Sequence, residues 1–324
     1  MQRARIEDAV YLFGLSRLLK LRLQTVLGLR AMYPTLEALR GAGSAPTLTA
    51  EGLGATAGAL RRAVEDGACW REAEGVIARH VDAGIVPLAI TDAGYPPLLR
   101  GIVNPPAVLF AKGDLSALLS TETVAVVGSR DSTPPGDRKA REVAGRFARA
   151  GYVVVAGLAA GIDTCAHEAT IDGGGRTVAV YATPLDRVYP AENRTLEERI
   201  VANGGAVVSE YAIGDRTYPS SFKHRDRIQA GMSIAVIPIQ ARKGKDGTMH
   251  TVTYGEQAGR LILCPAPPRA EAHSVAYECI RELLAARRAE PLRLARFPEL
   301  LARLKHHRDE LTEQIGRWFS LAST

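Results

Sequence analysis

The sequence lacks the features that would place this protein outside the ordinary globular class. It has four cysteines in 324 residues, and no two of them form a Cys-x-x-Cys pair. This spacing argues against a zinc ribbon and against a disulfide framework. No stretch reaches the roughly 18 apolar residues of a membrane span, and the first residues contain no uninterrupted apolar segment of a secretory signal. We therefore expect a cytoplasmic protein with reduced thiols and no membrane contact.

The glycine fingerprint of dinucleotide-binding enzymes is absent as well. The segment VAVVGSRDSTPPG (124–136) has one glycine at the strand end, where the G-x-G-x-x-G pattern requires three. An NAD-dependent dehydrogenase is therefore disfavoured. The rest of the composition is ordinary, with 46% hydrophobic residues, 23% charged residues and a net charge of +6. That charge permits a polyanionic partner without requiring one.

The order of patterns along the chain predicts three regions. Residues 1–82 show apolar residues at helical spacing and form a predicted N-terminal helical domain. Residues 83–268 form a predicted Rossmann-like domain that begins with proline-rich strands at a sheet edge, and residues 269–324 form a C-terminal helical extension. The N-terminal helices are either a bundle that only packs on the rest or a helix-hairpin-helix-like domain that contacts DNA. No internal repeat is evident.

Short apolar strands alternate with helical segments from residue 123 onward. Continuous apolar runs are typical of strands buried on both faces, and this alternation predicts βαβ units. The fold class is therefore α/β, a Rossmann-like, doubly wound, mostly parallel sheet with an N-terminal helical domain and C-terminal helices. The predicted strands are Val124–Val127, Val153–Ala156, Thr177–Tyr181, Ala206–Ser209, Ile234–Pro238 and Leu261–Cys264. The predicted helices are Leu60–Ala83, Gly136–Ala150, Ile162–Asp172, Asn193–Asn203, Ser221–Ala230, Thr248–Ala258, Ala270–Arg288 and Pro298–Phe319.

Three residues at the end of the first parallel strand predict an anion site. Gly128 lets the backbone approach a ligand, Ser129 offers a hydroxyl, and Arg130 offers a bidentate fork for phosphate. Ligands of doubly wound sheets bind outside the carboxyl ends of the strands, which is where these residues fall. The alternative is a structural turn with a solvent-exposed arginine.

The segment AGLAAGIDTCAH (156–167) predicts a second phosphate site after the next strand. Gly157 ends the strand, Ala159 and Ala160 keep the loop narrow, and Gly161 precedes the helix. The free amide groups and the dipole at the start of the following helix attract an anion.

The same segment holds three side chains that could perform chemistry. Asp163 lies in the first helical turn, where a capping role is strong. Asp163 and His167 are four residues apart and could pair, which would orient the imidazole and raise its proton affinity. We favour a structural or ligand-orienting pair over an acid–base device. Cys165 and His167 lie on different helix faces, so a cysteine nucleophile is disfavoured.

A basic cluster beside an aromatic ring stands in SFKHRDR (221–227). Phe222 offers a ring for a base, and Lys223, Arg225 and Arg227 offer charge for a nucleic-acid backbone. A solvated charged turn is the alternative. More positive charge follows the next predicted strand, at Arg242, Lys243 and Lys245. Gly247 and Thr248 then begin a predicted helix, whose start is another candidate anion site.

These segments, in this order, resemble the DprA/Smf family of DNA-processing proteins, within the Rossmann-like group that includes the LOG-type enzymes. The resemblance rests on VGSR (127–130), AGLAAGIDTCAH, TVAVYATPLDRVYPAEN (177–193) and VVSEYAIG (207–214). It implies a protein that binds single-stranded DNA, protects incoming strands in natural transformation and helps to load a RecA-type recombinase. It also implies a homodimer without catalytic turnover. By position, Arg130, Lys223, Arg225 and Arg227 match the family's basic DNA-contacting pocket.

The chain departs from the family pattern at several positions. Lys223 stands in place of proline, Asp226 in place of asparagine and Gln229 in place of an apolar residue, and Pro184 stands where glycine is usual. After Ile239 the family's helix start becomes QARKGKDGTMHTV. This is therefore a divergent member, and we expect DNA binding to tolerate these changes.

The main alternative is a nucleotide sensor or a nucleotide-cleaving enzyme on the same fold, for example in a defence pathway. The LOG-type pattern PGGxGTxxE is reduced here to KDGTMHT, without the glutamate, which argues against phosphoribohydrolase chemistry. Asp163, His167 and Glu210 are the residues that keep an enzyme possible. We predict no catalytic residue, metal or cofactor. We also predict that Arg225→Glu abolishes strand binding with the fold intact, and that Cys165→Ala leaves activity unchanged.

Overall fold

The computed structural model describes residues 2–41, 56–244 and 247–322. In these residues nine strands form one sheet, in the order β1-β2-β6-β5-β4-β3-β7-β8-β9. Strands β3 to β9 run parallel to one another, and at one edge β2 pairs antiparallel with both β6 and β1. The predicted fold class is confirmed. The strands are Val86–Ala89 (β1), Val108–Gly113 (β2), Thr123–Val127 (β3), Val153–Ala156 (β4), Thr177–Val180 (β5), Ala206–Ser209 (β6), Ala235–Pro238 (β7), Leu261–Pro265 (β8) and Glu290–Leu292 (β9).

The winding direction reverses after β6. From β3 the chain adds β4, β5 and β6 on one side, then crosses back so that β7 pairs with the other side of β3. Val127 and Pro238 are partners at the ends of these two strands. Such a reversal opens a crevice at the carboxyl ends of the strands, because the connections leave in opposite directions.

The helices cover both faces of the sheet. Five of the predicted helices, from residue 134 to residue 257, match the observed bounds within two residues. The predicted helix Leu60–Ala83 is wrong, because Gly67 adopts a φ of +66° and divides it into two helices. The helices are Gln2–Phe13 (α1), Leu23–Met32 (α2), Leu36–Gly41 (α3), Thr56–Asp66 (α4), Ala68–Asp82 (α5), Pro134–Arg149 (α6), Ile162–Asp172 (α7), Arg194–Ala202 (α8), Pro219–Gly231 (α9), Thr248–Gln257 (α10), Glu278–Ala285 (α11) and Phe297–Ala322 (α12).

The N-terminal helices share one hydrophobic core with the antiparallel edge of the sheet. Tyr11 and Trp70 meet edge to face, with ring centroids 6.1 Å apart. The imidazole of His80 stacks on Phe110 of β2 with 3.8 Å between the ring centroids. The Nε2 atom of His80 also accepts a hydrogen bond of 3.0 Å from the backbone amide of Ile213. The N-terminal helices therefore contact a segment that continues toward the carboxyl ends of the strands.

The C-terminal region differs from its predicted form. The predicted helix Ala270–Arg288 contains short 3-10 turns and the brief α11, and strand β9 follows, which the sequence did not predict. Helix α12 packs back against the turn that contains Gly101. The approach is so close that a Cβ atom on Gly101 would lie 2.4 Å from Cγ1 of Ile315 in α12. None of the described helices is both long and apolar enough to cross a membrane.

Candidate nucleic-acid interface

A cleft of about 1470 Å³ opens where the winding direction reverses, and it collects the loops that follow β3, β4, β5, β6 and β7. The structure thus places a large concave surface where the sheet topology predicts a ligand. The residues predicted from the sequence that line this cleft are Gly128, Arg130, Ala159, Asp163, Phe222, Lys223, Arg225, Gly247 and Thr248.

Three of the small predicted residues support the loops behind the cleft and do not line it. Ser129 is 1% exposed, and its hydroxyl donates to the carbonyl of Asp131. Gly157 donates its amide to Asp163 Oδ2 over 2.9 Å. Gly161 has a φ of +77°, and a Cβ there would lie 2.5 Å from the carbonyl of Ser129. These residues allow the first two strand ends to approach each other, so their spacing reflects packing.

His167 is fully buried and does not pair with Asp163. The Thr177 hydroxyl donates to the carbonyl of Val154, so His167 Nδ1 donates to the Thr177 oxygen over 2.7 Å. Its Nε2 has no hydrogen-bond partner among the described residues. Burial, and secondarily the charge of Arg225, lower the pKa of His167 to about 3. The raised proton affinity expected from the i, i+4 spacing is therefore wrong, because Asp163 turns to the Gly157 amide instead.

A buried charge cluster lies at the floor of the cleft. The guanidinium of Arg225, 5% exposed, donates to the carbonyls of Gly157 and Val180 and to Asp226 Oδ1, the last over 3.1 Å. Burial raises the pKa of Asp163, and Arg225 opposes that shift. Burial likewise raises the pKa of Asp226 to about 6, with Asp163 adding to the shift and Arg225 opposing it.

The burial of Arg225 corrects one expectation from the sequence. A glutamate at position 225 would join Asp163 and Asp226 in a nearly dry environment. Like charges without a counterion are costly to bury, so Arg225→Glu threatens the fold itself. Arg225 orders the floor of the cleft, whereas the fully exposed charges lie above it.

The exposed side of α9 presents an aromatic and cationic surface. The guanidinium of Arg130 lies 4.9 Å from the ring centroid of Phe222. The ring of Tyr189 lies 5.5 Å from that of Phe222 at an angle of 57°. Lys223, the next residue of α9, is exposed to the same cleft. A cation over an aromatic face retains its charge and can still attract an anionic ligand.

Basic residues outnumber acidic ones on the cleft lining, with six arginines and lysines against five aspartates. Arg242 pairs with Asp131 over 2.9 Å. Four of the six cations form no ion pair with a carboxylate within residues 2–41, 56–244 and 247–322; they are Arg130, Arg187, Arg216 and Lys223. Positive charge that is not neutralised by neighbours attracts a polyanion.

The start of α10 closes the cleft opposite α9. The Thr248 side chain is 5% exposed, and its hydroxyl has no hydrogen-bond partner in the described part of the chain. A Cβ on Gly247 would lie 3.8 Å from Asp226 Oδ2, so this carboxylate sits beneath the helix start. Lys245 lies outside the described residues.

Two predicted cations lie away from the cleft lining. Arg227 pairs with Glu210 over 2.5 Å and lines a smaller cavity of about 290 Å³ on the other side of α9. Lys243 is exposed and pairs with Glu282 over 2.7 Å. Glu210, one of the three residues that kept an enzyme possible, is thus paired with an arginine. Among the described residues no three His, Cys, Asp or Glu side chains converge to hold a metal ion.

Sequence reasoning missed the two loops that form the outer wall of the cleft. Residues 186–190 read Asp-Arg-Val-Tyr-Pro, and residues 215–219 read Asp-Arg-Thr-Tyr-Pro. The two segments share Asp, Arg, Tyr and Pro at equivalent positions. The two copies follow the neighbouring strands β5 and β6, and residues of both line the cleft. The duplication was visible in the sequence, but only the strand order places the copies side by side.

Fold and cleft together define a class: a doubly wound α/β protein with a basic, aromatic-lined anion cleft at the switch point of the sheet. A family model described as DNA recombination-mediator protein A matches residues 87–294. The chain belongs to this DNA recombination-mediator protein A family.

Individual relatives agree with this assignment. Protein Smf of Synechocystis is 39% identical over 187 residues, which are 56% of this chain and 46% of that protein. The structure of DprA from Streptococcus pneumoniae superposes with a TM-score of 0.60 at 31% identity, covering 69% of this chain and 78% of that one. DNA processing protein A from Helicobacter pylori, studied for its unique single-stranded DNA binding mode, gives a TM-score of 0.59 at 25% identity and covers 68% and 96%. The chain spans about half the length of the curated relatives it matches.

Proposed function

We propose that the cleft binds single-stranded DNA with little sequence preference. The observation that carries this proposal is the arrangement on α9, where Arg130 lies over the Phe222 ring, Tyr189 packs beside it and Lys223 follows. Phosphates need cations, and unpaired bases need flat apolar faces on which to stack. A single strand offers both groups at once.

The two sides of the cleft contact different groups of the bound strand. Lys223 and Arg130 contact the sugar–phosphate backbone, and Phe222 and Tyr189 stack with bases. On the opposite side the Thr248 hydroxyl and the amide groups at the start of α10 donate hydrogen bonds to a phosphate, because helix starts favour anions. The buried Arg225 holds the floor in place for these contacts.

The size and chemistry of the cleft favour a polymer over a free nucleotide. Its volume of about 1470 Å³ exceeds the roughly 300–1,000 Å³ of ordinary small-molecule pockets. The acid–base candidates of a cleaving enzyme are engaged elsewhere: His167 is buried and neutral, and Glu210 is paired with Arg227. The single-stranded DNA binding of the Helicobacter pylori relative supports the same choice.

The wider role follows from the family. We propose that the protein protects incoming single strands, helps to load a RecA-type recombinase in transformation or recombination, and acts in the cytoplasm as a homodimer without catalytic turnover. Membership in the recombination-mediator family supports this role. The alternative is a sensor of free nucleotides or a nucleotide-cleaving enzyme.

The test is fluorescence anisotropy with a labelled oligothymidine at a series of salt concentrations. We expect tight binding that weakens steeply with salt. We expect Arg130→Ala and Lys223→Ala each to weaken binding and to lower the slope of log affinity against log salt by about 0.7, the value for one phosphate of a single strand. Lys305→Ala removes the same charge from exposed α12 and serves as the control, with no change in slope.

Competition decides between the alternatives. Unlabelled single strands should displace the probe far better than duplex DNA or free nucleotides. If wild-type protein does not bind the oligonucleotide and a free nucleotide raises its melting temperature, the cleft belongs to a nucleotide sensor or enzyme. Equal salt slopes for the two cleft variants and Lys305→Ala would refute the placement of the phosphates.

A further inference from the structure

The duplicated segments on the outer wall bring like residues to neighbouring strand ends. We call residues 186–190 the first arm and residues 215–219 the second arm. Each arm offers an arginine, then a tyrosine, then a proline that precedes a helical turn. Because β5 and β6 are parallel neighbours, chains leaving their ends start only about 5 Å apart. The Arg187 guanidinium of the first arm donates to the Thr217 hydroxyl of the second over 3.2 Å.

The tips of both arms are exposed to solvent, although they carry aromatic and cationic side chains of the types that bind ligands. Tyr189 is 50% exposed and Tyr218 is 55% exposed, and both line the cleft. Arg187 and Arg216 are exposed and form no ion pair with a carboxylate in the described ranges. Two half-exposed rings beside two unneutralised guanidinium groups form a surface that neither the core nor an internal salt bridge explains.

The bases of the arms are fixed, which keeps the tips in position. Near the first arm, the Asn193 amide donates to the carbonyl of Leu158 over 2.8 Å. In the second arm, the Asp215 carboxylate accepts a hydrogen bond of 2.9 Å from the backbone amide of Ala212. It also forms an ion pair of 2.5 Å with Arg17 of the N-terminal helices. A ligand therefore meets preorganised side chains and does not have to order a loose loop.

We propose that the two arms form an extension of the DNA site that holds two further nucleotides of the bound strand. Arg187 and Arg216 contact the phosphates of these nucleotides, and Tyr218 stacks with one of their bases. Tyr189, which already stacks in the cleft, joins the extension to that site. This proposal rests on the proposed function of the cleft. It is continuous with that site, because the Tyr189 ring already packs against Phe222 at 5.5 Å.

Single-stranded DNA suits the arms better than other anions. A free phosphate would leave the tyrosine rings without a partner, and a duplex keeps its bases stacked inside the helix, away from the rings. Stacking on tyrosine tolerates any base. The extension therefore adds length to the binding site without adding sequence preference.

The experiment uses a ladder of labelled oligothymidines, from four to sixteen nucleotides, with the full chain. Wild-type affinity should rise with length until the arms are occupied. The double variant Arg187→Ala/Arg216→Ala should lose the last part of that rise, and its salt slope should fall by about 1.4, which is twice the value for one phosphate. Tyr218→Leu should bind long oligonucleotides about tenfold more weakly with an unchanged slope. Both variants should bind the shortest oligonucleotides like wild type.

The controls separate this proposal from the one on which it rests. Arg61→Ala/Arg62→Ala removes two exposed charges from α4 and should leave affinity and slope unchanged at every length. If wild type binds no oligonucleotide, the proposed function itself fails. If wild type binds but the arm variants match the α4 control at all lengths, only the extension is wrong. Loss of a dimer in light scattering, with DNA affinity unchanged, would assign the arms to self-association and overturn the proposal.

Discussion

Two segments of the cleft offered similar chemistry in the sequence, and the structure uses them in opposite ways. In the segment 156–167, Asp163, Cys165 and His167 are all buried. In α9 the side chains divide: Lys223 is exposed to the cleft, whereas Arg225 and Asp226 are 5% and 7% exposed. Reactive residue types therefore do not identify a ligand contact by themselves, since only α9 has a solvent-facing side in the cleft.

The difference has a packing cause. Helix α7 lies against the sheet so closely that a Cβ on Gly128 would be 2.6 Å from Ile162 Cγ1. The small residues before α7 are needed for that approach. Helix α9 instead crosses back over the sheet to begin the other half of the fold, and its start borders the open cleft.

The largest effect is expected from Arg225, which joins the two segments. Arg225→Ala removes the cation between Asp163 and Asp226. It also removes the guanidinium that donates to the carbonyls of Gly157 and Val180. Breaking a buried ion pair in this way costs about 3–5 kcal/mol. Urea denaturation should show that loss in the free energy of unfolding. Lys223→Ala, two residues earlier on the exposed side, should change it by less than about 0.5 kcal/mol. Equal stability of the two variants would contradict the assignment of Arg225 to the floor.

The burial of Arg225 marks the limit of what the sequence could predict. The bounds of all six predicted strands hold within one residue, because strands covered on both faces are continuous apolar runs. Strand β9, Glu290–Leu292, was missed because it is short and its first two residues are exposed. The partner of Arg225, the Gly157 carbonyl, lies 68 positions away. Such contacts depend on the strand order, which local patterns do not contain.

The next effect concerns the pH dependence of stability, to which His167 in α7 and Asp226 in α9 contribute with opposite sign. His167 in α7 has a folded pKa of about 3, below the ordinary 6.5, so the unfolded chain takes up the proton first. Its contribution to stability is complete above pH 6.5 and falls as the pH falls toward 3. Asp226 in α9 has a folded pKa of about 6, above the ordinary 3.8. The burial of ionised Asp226 therefore lowers the stability of the fold above pH 6. This loss of stability disappears as the pH falls toward 3.8.

Between pH 6 and pH 4 these two contributions nearly cancel in the wild type. Each changes the free energy of unfolding by about 3 kcal/mol over that interval, at about 1.4 kcal/mol per pH unit. Asp226→Asn should therefore lose stability more steeply than wild type on acidification, and His167→Gln should lose it less steeply. Urea denaturation at pH 4, 5 and 6 gives the slopes. Parallel slopes for all three proteins would show that neither group titrates as its surroundings require.

A smaller effect is expected on DNA affinity from the same aspartate. Asp226 lies beneath the start of α10, where its negative charge would oppose the phosphate that the proposed function places there. Asp226→Asn should bind oligothymidine about 3- to 10-fold more tightly at pH 8 and constant ionic strength, the gain from removing one nearby negative charge. The gain should vanish below pH 6, because wild-type Asp226 is then protonated. A gain that is the same at pH 5 and pH 8 would point to a change of shape instead of charge.

The smallest effect is expected at Cys165, the residue whose neighbours most suggested a nucleophile. Burial raises the pKa of its thiol to about 11, so the thiol stays protonated near neutral pH. It packs in the core between α6, α7 and the sheet. Cys165→Ala should cost about 1 kcal/mol of stability through lost packing and leave oligothymidine affinity unchanged within about twofold. Native protein treated with iodoacetamide should remain unlabelled at this position in a peptide mass map. Rapid labelling, or loss of DNA binding at unchanged stability, would show that α7 contributes a reactive surface after all and would remove the contrast with α9.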